Sequence, residues 1–192
     1  MLQRLYRWTL RAAAHPRATA WLALVAFLES SVFPIPPDVM IVPMALARPE
    51  RALRIAAVAT AASVLGGLFG YAIGYFLFES VGRPVIALYG YEAEFALMQA
   101  WYREYGLWVV MILGFTPMPY KVATIASGVL AFDPLLFLLG SLLSRGARFY
   151  LVAGLLRWFG EPLRAFIERR LNWLATGFVL LLLGGFLALS WV

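Results

Sequence analysis

Twenty-four consecutive residues, Ile55 to Phe78, carry no charged side chain. As a helix, a run of that length reaches across the roughly 30 Å hydrocarbon layer of a bilayer. It restricts the chain to folds in which lipid, or a very large core, covers such a helix. The chain has 192 residues, 63% of them apolar and 14% charged, where soluble domains run near half and a quarter. One core of that size cannot hide so much apolar surface, so an all-α integral membrane protein is expected. Cysteine is absent and His15 is the one histidine. Thiol chemistry, a disulfide framework and iron–sulfur or zinc ligation are thereby excluded, and neither a metal nor a cofactor is expected.

The remaining apolar stretches are of two kinds. Pro134 to Leu156 and Leu171 to Val192 are long enough to cross and, with 55–78, give three transmembrane helices. Segments 18–48 and 107–132 are instead broken in the middle, the first at Pro34, Pro36 and Pro37, the second at Pro117 and Pro119. No straight helix holds these prolines. Each arm has about half the length needed to span a bilayer. Segments of this kind are expected as re-entrant hairpins, whose irregular tips line a polar cavity. Residues 1–17 place Leu2, Leu5, Tyr6, Thr9 and Ala13 on one helical face and Arg4, Arg7 and Arg11 on others, which predicts an amphipathic surface helix. Residues 82–104 read as an external amphipathic linker.

The charges orient this plan. With the N-terminus cytoplasmic, eleven Arg and three acidic residues fall inside, against two Arg and five acidic residues outside. That is the positive-inside asymmetry of a multi-pass protein of the cell inner membrane with an external C-terminus. It also accounts for the net charge of +6 without a nucleic-acid partner. Five charges are left at membrane depth: Glu29, Asp38, Lys121, Arg145 and Arg148. Each costs about 2.5–3.5 kcal/mol at the centre of a bilayer helix unless it is paired or wet. Glu29 or Asp38 is therefore expected to pair with Lys121, Arg145 or Arg148.

The two broken segments echo each other. Pro34-Ile35-Pro36-Pro37-Asp38 aligns with Pro117-Met118-Pro119-Tyr120-Lys121 at a separation of 83 residues. Hairpin plus crossing helix, repeated with opposite flanking charges, is the inverted-repeat plan of secondary transporters, whose sites lie near the midplane. Arg145 and Arg148 are three residues apart and share a helix face, suited to clamp a phosphate, with Lys121 adding a point charge. Gly66, Gly70 and Gly74 form a small-residue stripe for close helix packing, with a homodimer seam as the alternative use.

Glu29-Ser30-Ser31-Val32-Phe33-Pro34-Ile35-Pro36-Pro37-Asp38 resembles the hairpin signature of the DedA (VTT-domain, SNARE-associated) membrane proteins. Gly114 to Lys121 and Arg145-Gly146-Ala147-Arg148-Phe149 resemble its YqaA-type branch. The likeness runs from about Leu22 to Phe159. It implies two opposed re-entrant hairpins and a role in membrane lipid homeostasis, some relatives being regarded as flippases for polyprenyl phosphates or phospholipids. Many DedA proteins carry an Arg before the prolines of the second hairpin, and here Lys121 is the cation of that segment.

Together these readings predict a non-enzymatic transporter that moves a phosphate-bearing lipid, with proton uptake by Glu29 or Asp38 alternating with phosphate binding. Two other readings stay open. One is a non-catalytic assembly or scaffold protein whose hairpins thin the bilayer. The other is an intramembrane hydrolase built on Glu29 and Asp38 as a carboxylate pair, although no P-loop or G-x-S-x-G elbow accompanies it.

Overall fold

The computed structural model of the protein describes residues 13, 15, 17–32, 36–116, 120–160 and 162. Nearly all of helix 1–17 and all of crossing 171–192 lie outside this range, as do Pro34, Pro117 and Pro119. Among the described residues the chain is helical and contains no strand. Helix α1 spans Ala18–Ser31 and α2 spans Asp38–Ala47. After a single 3-10 turn at Pro49–Arg51, α3 runs over Ala52–Leu77. Helix α4 is Arg83–Tyr89, α5 is Glu92–Phe115, α6 is Tyr120–Val129 and α7 is Pro134–Gly160.

Among the described residues two helical stretches are long and apolar enough to cross a membrane: the continuous 41 residues Pro49–Tyr89 and the 27 residues of α7. The first outruns the uncharged segment because the chain does not break at Phe78. It passes through a π turn, Phe78–Gly82, directly into α4, and an ion pair of 2.8 Å between Glu79 and Arg83 ties that turn to the next. The reversal comes only at Gly90, which takes the left-handed φ of 71° that glycine tolerates. Helix α5 then runs unbroken from linker into second hairpin, where the sequence suggested separate pieces at 82–104 and 107–132. The intervening Gly106 lies inside the helix, its missing side chain leaving room for Tyr102 and Phe132. One helical glycine, at about 1 kcal/mol, is too weak a breaker to divide so long an apolar pattern.

Helix boundaries repeat along the chain. Ser31 and Phe115, and Ala52 and Pro134, are 84 and 82 residues apart. The packing repeats with them. Helix α3 lies parallel to α1, with Gly66 against the backbone of Phe27. In the same way α7 lies parallel to α5, with Gly140 on Leu107 and Val110 and with Ser144 on Gly114. Each long helix also takes the second short arm of the other half. Gly70 and Gly74 of α3 meet Thr124 and Ile125 of α6, while Phe149, Ala153 and Leu156 of α7 share an apolar cluster with Ile41, Met44 and Ala45 of α2. Helices α3 and α7 run antiparallel, since Ser63 faces Arg145 and Tyr71 faces Phe137 further down. The two long helices thus run in opposite directions through the structure.

The core is split. One apolar cluster joins the start of α1, the end of α2, the start of α3 and the end of α7. The other joins α5, α6 and the start of α7, around Tyr102, Val110, Tyr120, Phe132 and Phe137. Between them lies a polar layer. The short arms end there, and it holds the buried charges.

Candidate functional site

Helix α1 delivers Glu29 and Ser30 to this layer in its last turn, and α2 begins there at Asp38. Helix α5 ends there at Phe115, with Thr116 after it, and α6 begins at Tyr120. The long helices cross the layer at Ser63 and at Arg145 to Arg148. The ends of α1 and α5 and the heads of α2 and α6 thus gather about one turn of α7.

Two ion pairs fill the layer, and they differ in kind. The Arg145 guanidinium donates to the Glu29 carboxylate at 2.6 Å, and its Nε–H donates to the Ser63 hydroxyl at 2.7 Å. Ser63 lies 2.7 Å from the Ser30 hydroxyl, which reaches the same Glu29 oxygen at 3.2 Å. One donor order satisfies all of them: Arg145 to Ser63, Ser63 to Ser30, Ser30 to Glu29. The ring is closed. The rings of Phe149 and Tyr120 lie 4.6 and 4.9 Å from the guanidinium carbon, a favourable setting for a cation. The Arg145 side chain is 1% exposed and that of Glu29 9%. This pair is enclosed.

Arg148 is held differently. One terminal nitrogen donates to the Asp38 carboxylate and the other to the Thr116 backbone carbonyl. The same guanidinium therefore binds the head of α2 and the tail of α5, one group from each tip. Its side chain is 13% exposed and that of Asp38 24%, so this pair is within reach of the surroundings. Thr124 completes the junction, its hydroxyl donating to the Ser30 carbonyl at 3.0 Å across the interface between halves.

A curated protein of Haemophilus influenzae (strain ATCC 51907 / DSM 11121 / KW20 / Rd), called an uncharacterized protein, is 39% identical to the chain over 179 residues, 92% of each. A protein of Histophilus somni, called an uncharacterized protein HI0703 homolog, is 39% identical over 186 residues, 97% of each. The chain belongs to the family of these two proteins. No family model matches the chain, and no solved structure matches it. Neither of these two names states an activity.

Of the five buried charges singled out in the sequence, four stand together in the layer, paired as Glu29 with Arg145 and Asp38 with Arg148. Lys121, half-buried at the head of α6, is in neither pair. Arg145 and Arg148 do share a helix face, but Arg145 is enclosed by internal partners, so a symmetrical two-arginine clamp would first have to break the ring. The stripe Gly66, Gly70, Gly74 is buried within the chain, against α1 and α6. Pro36 and Pro37 lead into α2, with the Pro37 carbonyl accepting from Met40 and Ile41. Sequence reading missed Ser63, Thr116 and Thr124. Lone hydroxyls on apolar helices commonly bond their own backbone, which hides those that bridge helices.

Proposed function

We propose that this protein is a multi-pass inner-membrane transporter that moves a phosphate-bearing lipid, a polyprenyl phosphate or a phospholipid, between leaflets. In this reading the two proline-broken hairpins enter the bilayer from opposite faces, three helices cross it, and the N-terminus is cytoplasmic. The outer faces of the long helices support a lipid environment. Leu65, Phe69, Phe76, Leu135, Leu143 and Leu151 are all exposed, a continuous apolar surface that water does not tolerate. The observation that carries the transport reading is Arg148, a partly accessible guanidinium bonded to both hairpin tips at the junction of two inverted halves.

Mechanism follows from that placement. While Asp38 is ionised it occupies Arg148 and keeps the tips together. Proton uptake by Asp38 removes its charge and releases Arg148, which is then free to pair with a phosphate. Loss of the proton restores the carboxylate, which competes the phosphate away. Glu29 and Arg145 hold the frame in which the exchange happens.

Translocation of a fluorescent phosphate-bearing lipid in reconstituted vesicles of phosphatidylethanolamine and phosphatidylglycerol tests this. Asp38→Asn and Arg148→Ala are expected to slow it at least about tenfold, the scale of one lost charge-assisted bond. Unchanged rates in both would overturn the transport reading. The absence of cysteine makes topology equally direct to measure. Single replacements Arg17→Cys and Arg48→Cys are expected to react with an impermeant maleimide from the cytoplasmic face alone, and labelling from opposite faces excludes a first re-entrant hairpin.

A further inference from the structure

The Thr116 hydroxyl is buried and has no hydrogen-bond partner among the described residues. Buried hydroxyls are rarely left so, and no other among the described residues is. Ser31, Thr60, Ser127, Ser141 and Ser144 each bond the carbonyl four residues back along their helix. Thr116 cannot do the same. It follows the last residue of α5 with extended backbone, φ −77° and ψ 162°, the conformation imposed on a residue that precedes proline, here Pro117.

Its surroundings point to a ligand. The Thr116 carbonyl accepts from one terminal nitrogen of Arg148, while the other nitrogen holds Asp38. The guanidinium fork is thus split between two segments rather than matched by one bidentate partner. An anion with three acceptor oxygens would satisfy both guanidinium nitrogens and the Thr116 hydroxyl together. A carboxylate has two oxygens, and Asp38 engages only one nitrogen. We propose that Thr116 and Arg148 form a subsite for a phosphate group, in which the Asp38 carboxylate sits as a tethered stand-in for the ligand. The subsite deepens the transport reading and rests on it for the lipid. A lipid phosphate and free inorganic phosphate share the chemistry that this subsite recognises.

The full chain in neutral detergent is titrated by calorimetry with dihexanoyl phosphatidic acid and, separately, with inorganic phosphate. Thr116→Val, which keeps the shape and removes the hydroxyl, is expected to weaken phosphatidate binding about tenfold, the value of one charge-assisted bond. Thr116→Ser is expected to bind like the native chain. Asp38→Asn, which removes the competing charge, is expected to bind about tenfold more tightly although it transports slowly. Thermal melting of each variant verifies folding; Thr116→Val replaces an unpaired hydroxyl by a methyl and should melt no lower than the native protein.

Equal phosphatidate affinity in Thr116→Val and the native chain overturns the subsite, and with translocation intact it leaves the transport reading standing. Weaker binding by folded Asp38→Asn overturns the stand-in role, and no heat from either probe on the native chain and Asp38→Asn overturns the subsite entirely. Phosphatidate binding well above that of inorganic phosphate identifies a lipid ligand. Equal affinity for the two keeps the subsite, assigns it to free phosphate and sinks lipid transport instead.

Discussion

Arg145→Ala should leave the protein without a stable fold. The substitution strands the Glu29 carboxylate in a layer where its partner is 1% exposed, removes the donor that organises Ser63 and Ser30, and empties the space between Phe149 and Tyr120. Breaking a buried pair from one side costs about 3–5 kcal/mol, a large part of the 5–15 kcal/mol that typically holds a domain together. The readouts are the yield of monodisperse protein in detergent and its melting temperature. Removing both charges with apolar side chains of similar volume, as in Glu29→Leu with Arg145→Met, should recover much of the loss, because no unpaired charge is left. A melting temperature for Arg145→Ala within a few degrees of the native value would show that Glu29 finds other solvation and that the ring is dispensable. Recovery in the double variant separates a structural role for this pair from the exchangeable role proposed for Asp38 and Arg148.

Gly128→Ala should be nearly as damaging for a different reason. A Cβ at Gly128 would lie 2.0 Å from the Tyr71 carbonyl oxygen, and one at Gly74 would lie 2.2 Å from that of Ile125. The obstacles are backbone, which no rotamer change can move. Helices α3 and α6 meet there face to face, so one methyl group must push the two helices apart. Overpacking of this kind costs about 1–3 kcal/mol, and at a seam between halves the damage spreads to the Thr124–Ser30 bond. Gly154→Ala is the control. A Cβ there meets nothing within 4 Å, and alanine favours the helix by about 1 kcal/mol. Equal melting temperatures for Gly128→Ala and Gly154→Ala would refute the close approach.

The parts of this architecture that could be read from sequence are those punctuated by proline. The prolines near residues 34–37 and 117–119 mark where arms must end, and the spacing of 83 residues carried through to the helix boundaries. Charge placement likewise marked Glu29, Asp38, Arg145 and Arg148 as residues that need partners in an apolar setting. Which acid takes which arginine was not legible. Two acids and three cations allow several pairings, and the choice depends on how α7 lies against α1 and α2, a lateral relation that periodicity does not encode. The same limit hid the closed ring through Ser63. The run from α3 through the π turn into α4 was missed because composition changes at Glu79 while the backbone stays helical, and Gly106 was overrated as a boundary.

Counted back along the chain by the repeat distance, Arg145 and Arg148 correspond to Ala62 and Leu65, and Asp38 corresponds forward to Lys121. The helix spacing repeats while the charges do not: the first half brings both acids to the layer and the second both arginines, so the polar layer is chemically lopsided.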